Sequence, residues 1–434
     1  MLFAFVGYAQ NKSTKLSKAD VESIKKLANS DTNRLVDIFK DIHQNPELPF
    51  KEVRTAAIVA KEFQRLGYKT ITGIGITGVV GILENGKGPV IMYRGDMDCN
   101  AVKETTGLDY ASTQTAKNDD GIEVPVAHMC GHDAHTTWLM GVAKTMVELK
   151  SKWKGTLVLV GQPAEENGFG AIKMSEEMYK KGVPVADYLL GMHTAPVGIG
   201  LYLNMAGDRM AGADQIDVVF NGVSGHGSMP QETKDPIIMA VNAVTQYQTI
   251  VSRNMDPQRA AVLTVGAING GIDNNVIPES VTVKINLRWF SEKDRMTMID
   301  GIKRINEAVA LANGLPKEMY PTFIEKQKVS PLNNDKGLVD KLNPALDELF
   351  GPGKNLQFPP VMGSEDFQHL VVEGQKTVYD YLLLGIVDPA LFEKTQKEGK
   401  MFPYTNHNGN FIVDLKAIPF GVAVGTTMLL QAFN

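Results

Sequence analysis

A chain of 434 residues with 43% hydrophobic, 21% charged and 7% aromatic residues is built like a folded globular protein with room for two buried cores, which excludes disordered and fibrous classes. A net charge of −5, with both signs spread along the chain, offers no basic stripe for a phosphate backbone, so a small-molecule substrate fits better than nucleic acid. Two cysteines, Cys99 and Cys130, are too few for a disulfide framework in a chain this long.

Residues 1–10, MLFAFVGYAQ, are apolar and carry a small-x-small pattern at Gly7-Tyr8-Ala9 ahead of a polar stretch, as in the remnant of a secretory signal cleaved near Ala9. The usual positive start is missing, so export and a cytoplasmic chain with an apolar terminus are both open. No later apolar run approaches the ~20 residues that span a bilayer. From Ser17, the spacing of Val21, Ile24 and Leu27, then Leu35, Ile38 and Ile42, predicts helix; Ser17 with Asp20 resembles a capping box, and Pro46 stops the helical pattern. His43 and Glu47 flank that proline and read as local structure.

Apolar runs at Val79–Leu83, Pro89–Tyr93, Thr156–Val160, Tyr188–Leu190 and Val378–Leu384 predict buried strands of a largely parallel sheet, with a helix such as Thr136–Lys150 between them. RGDMD, GQPAEE and GMH follow three of these runs, at the strand ends where open α/β sheets bind ligands. The middle of the chain has another rhythm. Asp214–Phe220, Ala261–Ile268 and Val281–Trp289 read as strands, Asp235–Asn254 and the Ile302, Ile305, Val309 face as helices, in the order of a ferredoxin-like unit. The expected organisation is an α/β domain over 17–206 and 326–434 with an inserted α+β domain over 207–325.

AHMCGHDAH crowds His128, Cys130, His132, Asp133 and His135 into nine residues of a chain with only eight histidines. Cys130 and His132, one residue apart, would point the same way in extended backbone and grip a divalent ion such as Zn²⁺, with Mn²⁺, Co²⁺ or Ni²⁺ as alternatives; a buried thiol among packed histidines is the other reading. Glu165 and Glu166 are consecutive. In extended backbone they would face opposite ways, one toward a metal and one toward substrate, although an isolated Glu-Glu pair is more often solvated surface. His193 and His407, each alone, read as hydrogen-bonded structural histidines. Asp96 and Asp98 are either ligands or partners that fix a ligating histidine's tautomer. Arg288 stands on the polar face of its strand with Lys284 and Asn286, free to grip a carboxylate or simply solvated. His226, between Gly225 and Gly227, sits where close approach and movement are easy.

The ordered set IHQNPELPFKEVRT, RGDMD, HMCGHDAHTT, GQPAEE, GMH, SGHGSMP, NNVIP, GSEDF and NHNGNF resembles the dinuclear-metal aminoacylase and carboxypeptidase family, over about residues 35 to 425. Its amidohydrolase branch, with hippurate hydrolases, N-acyl-amino-acid amidohydrolases and plant indole-acetyl-amino-acid hydrolases, is the most similar. The resemblance implies a metal-dependent exopeptidase type of fold and two divalent metal ions, held by Cys130 in the bridging place, His132, Glu166, His193 and His407. It also implies Glu165 as general base, His226 as oxyanion donor, often to a partner subunit's site, and Asn275, Arg288 and Gly363 as substrate-binding positions. The inserted domain would serve as lid and homodimer interface, and the substrate would be an N-acyl amino acid or dipeptide-like amide. RGDMDCNAV departs from the branch's usual RADMDALP by placing Cys99 and Asn100 near the site, and the charged stretch before His407 is longer than the branch leads one to expect. A catalytically silent protein that binds the same compounds is the alternative, which retention of Glu165 and the ligand set opposes. A metal-dependent oxidoreductase fits a bridging thiolate poorly.

Overall fold

The computed structural model describes residues 16–434, so the expected cleavage near Ala9 lies outside the described residues. Two compact units emerge: one runs to Gly207 and resumes over Asn334–Phe358 and His369–Asn434, and the other comprises Asp208–Asn333 and Pro359–Gln368. In chain order the strands of the two larger sheets are β1 (Lys69–Ile74), β2 (Gly78–Asn85), β3 (Val90–Asp96), β4 (Gly155–Gln162), β5 (Tyr188–Gly198), β6 (Tyr202–Leu203), β7 (Gly212–Asn221), β8 (Val262–Asn269), β9 (Ser280–Trp289), β10 (Thr322–Val329) and β11 (Val378–Val387).

In the first unit the sheet order is β1-β2-β4-β3-β5-β11-β6. The four middle strands are parallel, β3 to β4 and β5, and β5 to β11, while the outer pairings are antiparallel. Leu157, Val158, Leu159 and Val160 of β4 are all buried, as a strand covered on both faces requires. Register does the functional work: Asp96 of β3 pairs with Gln162 of β4, so the RGDMD and GQPAEE turns leave the same edge of the sheet. β5 separates from β3 after the Arg94–Gly191 pair and continues beside β11, so His193 lies within a strand rather than just past its end.

The helix His132–Glu148 fills the crossover between β3 and β4. It is buried on nearly every side because it is sandwiched between the sheet and Ala417–Phe433, a helix apolar all round. Gly421 permits that approach, since a Cβ there would lie 2.2 Å from the Trp138 ring, and the Trp138 indole donates to the Ala417 carbonyl at 3.0 Å. The clamp fixes the end of the helix that begins with His132. At the amino-terminal side the capping box forms: the Ser17 hydroxyl accepts the Asp20 N–H and the Asp20 carboxylate accepts the Ser17 N–H, each at 3.2 Å. Thr32–Gln44 ends before Pro46.

The second unit has the sheet order β8-β9-β7-β10, all antiparallel, with helices Pro236–Thr249 and Glu292–Ala312 after the first and third strands. This is the ferredoxin-like arrangement. The strict alternation of β9 buries Val281, Val283, Ile285, Leu287 and Trp289 against the two helices. A boundary at 325 would cut β10, which pairs with β7 along Thr322–Val329; the unit extends to Asn333 and takes in Pro359–Gln368. No helix among the described residues is long and apolar enough to cross a membrane.

Candidate metal centre

Cys130 and His132 are not in extended backbone. Cys130 ends a turn, Gly131 follows with φ 85°, and His132 opens its helix. Any side chain at Gly131 would strike Thr194 at 2.7 Å, so glycine is required for both its conformation and its contact. The Thr194 hydroxyl donates to the Cys130 carbonyl at 2.7 Å, tying this turn to β5. The Cys130 sulfur lies 3.4 Å from His193 Nε2. Donor atoms of Cys130, His132 and His193 all lie within 4.8 Å of one another, as do those of Cys130, Glu166 and His407. Cys130 belongs to both groups, so its sulfur stands where two ions would share a ligand.

Glu165 and Glu166 also depart from extended geometry. They lie in a turn after β4, behind Ala164 with φ 52°, and both carboxylates approach His132 Nε2, at 3.9 and 3.7 Å. Glu166 Oε2 is 3.3 Å from His407 Nε2. His407 is placed by another left-handed residue, its own φ being 63°, and by its N–H, which donates to the Met129 carbonyl at 2.7 Å. Asn406 adds an amide donor to the Cys130 sulfur at 3.4 Å.

Surrounding groups orient the imidazoles. His193 Nδ1 is 2.8 Å from the Thr194 carbonyl, which only accepts, so Nδ1 carries a proton and Nε2 is the atom turned toward Cys130. Asp98 Oδ1 lies 3.2 Å from His132 Nδ1, and Asp98 Oδ2 accepts the Glu166 N–H at 3.0 Å. Of the two readings left open for Asp98, it therefore takes the orienting one. Asp96 does the same for His135, at 2.6 Å, whose Nε2 accepts the Thr194 N–H, and Asp96 itself pairs with buried Arg94 at 2.7 Å.

Among the buried side-chain atoms without a hydrogen-bond partner are His132 Nε2 and Glu166 Oε1, 3.7 Å apart in this cleft. Burial opposes charge on the Cys130 thiol and Glu166 adds to that, yet His193 and His132 bring its pKa down to about 6. For Glu166 burial again opposes ionisation, and His407 and His132 reverse it, to about 2. The thiol and the Glu166 carboxyl are thus held in the form that binds metal, whereas despite burial the same anions raise the pKa of His132, His193 and His407, so a cation entering here would displace protons from those imidazoles. Orphaned lone pairs, an ionisable thiol and a surplus of carboxylate fit divalent cations better than they fit a packed core.

The remaining expected residues lie in the second unit. His226 Nδ1 accepts the Ser228 N–H at 3.1 Å, so the imidazole proton is on Nε2, at an exposed position ready to donate. His226 and Val276 are partners in a two-stranded ribbon, and the Gly227 N–H donates to the Asn275 carbonyl at 2.8 Å, so His226 and Asn275 are neighbours. Arg288 is not the free cation the strand pattern allowed. It donates to Asn286 Oδ1 at 2.9 Å and to Ser364 Oγ at 2.8 Å, which brings it beside Gly363, whose carbonyl accepts the Ala211 N–H at 2.8 Å. Those partners are neutral and leave its charge uncompensated; partial burial lowers its pKa.

Sequence reasoning missed several groups. His43 is not local structure: its ring lies between Asp133 at 2.6 Å and Glu104 at 3.2 Å, and although burial opposes its charge the two carboxylates hold its pKa up at about 9. The residue paired with it in sequence, Glu47, instead accepts the Arg54 and Thr55 N–H groups at 2.9 and 2.8 Å and caps the helix Val53–Arg65. Asp133, next to a ligand candidate in AHMCGHDAH, was visible; its partner was not, since 90 residues separate them.

The model of peptidase family M20/M25/M40 matches residues 92–399. The chain is 32% identical to the IAA-amino acid hydrolase ILR1-like 2 of Arabidopsis thaliana over 92% of this chain and 84% of that protein. It is 39% identical to the hippurate hydrolase of Campylobacter jejuni over 79% of this chain and 85% of that protein. Among solved structures, a dinuclear metal binding peptidase of Bacillus subtilis superposes with a TM-score of 0.73 at 23% identity, covering 93% of this chain and 99% of that one, and so shares the fold. Two donor groups sharing the Cys130 sulfur, a family model matched over most of the chain, and relatives matched over most of their length together make this chain a member of peptidase family M20/M25/M40.

Proposed function

We propose that this chain is a metal-dependent amidohydrolase that cleaves N-acyl amino acids or dipeptide-like substrates, with Cys130, His132, Glu166, His193 and His407 holding two divalent ions, Zn or Mn, with Co or Ni as alternatives. The observation that carries this is the pair of three-donor groups sharing the Cys130 sulfur, with Glu165 beside them. Bound there, the ions would polarise an amide carbonyl and lower the pKa of water to about 7. Glu165 takes a proton from the attacking water as the new carbon–oxygen bond forms. It returns that proton to the amide nitrogen as the carbon–nitrogen bond breaks, so one carboxylate serves as base and then acid. His226, with its proton on Nε2, donates to the oxyanion. Arg288, with Asn275 and Gly363, holds the substrate's carboxylate, the charge that Arg288's neutral partners leave unmatched.

The second unit serves as lid and dimerisation domain in this proposal. β8 is at the edge of its sheet, and its Ile268, with Ile238 and Val241 on the helix Pro236–Thr249, is exposed, as strand-to-strand pairing with a second copy favours. Export belongs to the same proposal and rests on the apolar opening segment; the mass of the mature chain from native cells tests it, an intact Met1 removing it. For the activity, metal analysis is combined with hydrolysis of a panel of hippurate-like amides. Two metals per chain and chelator-sensitive release of the amino acid are expected. Tight binding of the amides with no turnover by the metal-loaded protein would instead establish a silent binding protein.

A further inference from the structure

Among the described residues, four non-glycine positions have left-handed backbone: Phe50, Ile76, Ala164 and His407, with φ of 62°, 87°, 52° and 63°. The first three share one neighbour. Glu52, fully buried, accepts the Phe50 N–H and the Ala164 N–H on Oε1, both at 2.9 Å, and the hydroxyl of Thr77, the residue after Ile76, on Oε2 at 2.5 Å. One carboxylate therefore ties down three turns whose backbone side chains ordinarily avoid. No cation pairs with it among the described residues, and Asp98 adds like charge nearby. Such a group destabilises the fold unless its hydrogen bonds accomplish something.

What they accomplish is placement of the turn after β4. Ala164 immediately precedes Glu165 and Glu166, and a residue at φ 52° reverses the chain direction there. Asp98 grips the same turn from the other side through the Glu166 N–H. The two carboxylates that approach His132 at 3.9 and 3.7 Å are thus held by acceptors at both ends of a short, strained segment.

We propose that Glu52 is a positioning residue for the reaction: its buried carboxylate fixes Ala164 in the left-handed conformation and so aims Glu165, the next residue, while Asp98 holds Glu166. The role needs acceptors in the right places and not the charge. In Glu52→Gln the amide oxygen keeps both N–H bonds, and the amide nitrogen faces the Thr77 hydroxyl, which can accept. Glu52→Ala removes all three bonds.

This inference rests on the proposed role of Glu165, and its test separates the two. Amide hydrogen exchange on the full-length Glu52→Ala and Glu52→Gln proteins is followed at residues 163–168 and in β4, alongside steady-state kinetics and a Glu52→Ala/Glu165→Gln double variant. In Glu52→Ala, exchange over 163–168 should accelerate by about 10-fold or more while β4 keeps its protection. Turnover should drop ~100-fold with KM changed less than about threefold, the response to a misplaced catalytic group. Glu52→Gln should stay within about threefold of the parent in both measurements, and the double variant should be no slower than Glu165→Gln alone. The proposal is overturned if the 163–168 amides are unchanged in Glu52→Ala, if β4 loosens equally, if Glu52→Gln is as impaired as Glu52→Ala, or if the two substitutions multiply. Should Glu165→Gln alone leave turnover intact, the role of Glu165 fails instead, and the exchange data still decide whether Glu52 braces the turn.

Discussion

The metal cleft of the first unit and the candidate substrate residues of the second are built on opposite plans. In the cleft, His132, Asp96 and Asp98 are fully buried, and His132, His135 and His193 are each oriented by a partner. In the second unit, His226 is exposed and oriented by a backbone N–H two residues on, and Arg288 is half-buried among neutral groups. A cation must find its ligands already in place, because desolvated donors without it are costly. A group that meets a developing charge on a transient species needs only the right tautomer and freedom to reach it.

Glu165→Gln tests the centre of that contrast. It should lower kcat by about 10²- to 10⁴-fold, the range for losing a general base, with KM and metal content nearly unchanged. Retained turnover would mean that the proton is carried elsewhere. His226→Ala should cost about 10²- to 10³-fold in kcat, as for other lost oxyanion donors, again with little effect on KM. An equal rise in KM would make it a binding residue and blur the distinction between the two units. Asp98→Asn leaves one acceptor oxygen for two donors, the His132 ring and the Glu166 N–H, so metal affinity, titrated against a chelator, should fall by roughly 10- to 100-fold while the fold persists.

The smallest effect calibrates what burial alone costs away from the cleft. Burial raises the Asp380 carboxyl from 3.8 to about 7, although Asn204 donates to it at 3.0 Å. Its folded pKa is the higher one, so between those values the folded chain keeps a proton that the unfolded chain has lost, and stability falls as pH rises through the window. Asp380→Asn should match the parent near pH 4 and exceed it above pH 7. A net gain of about 1–2 kcal/mol is expected, because the amide nitrogen left without an acceptor offsets part of the relief. Denaturant unfolding at several pH values checks this; an advantage that does not grow with pH would mean that Asp380 is ionised when folded.

Much of this was legible beforehand. The buried runs that became β2, β3, β4, β5 and β11 were marked by continuous apolar sequence, and β9 by its alternation, because those patterns state directly which faces are covered. Cys130, His132, Glu166, His193 and His407 were named from motif resemblance, and they do gather. The local geometry was misjudged in two places for one reason. An extended backbone was assumed at Cys130 to His132 and at Glu165–Glu166, whereas turns at Gly131 and Ala164 deliver the side chains. A left-handed alanine carries no sequence mark, since its conformation is imposed by Glu52, more than a hundred positions earlier.

The sequence by itself determined which segments were strands and helices, the presence of an inserted ferredoxin-like unit, and the set of donors able to bind metal. The first two follow from side-chain chemistry and from periodicity along the chain; the donor set was marked by the resemblance of its motifs to a known family. Tertiary structure alone decided that Cys130 is shared by both donor groups, that Asp98 rather than a ligand role locks His132, that His43 pairs with Asp133 and Glu104, and that Pro359–Gln368 joins the second unit. Each of these depends on partners brought together by sheet register and helix packing, and a hydrogen bond between distant residues leaves no trace in the spacing of either one.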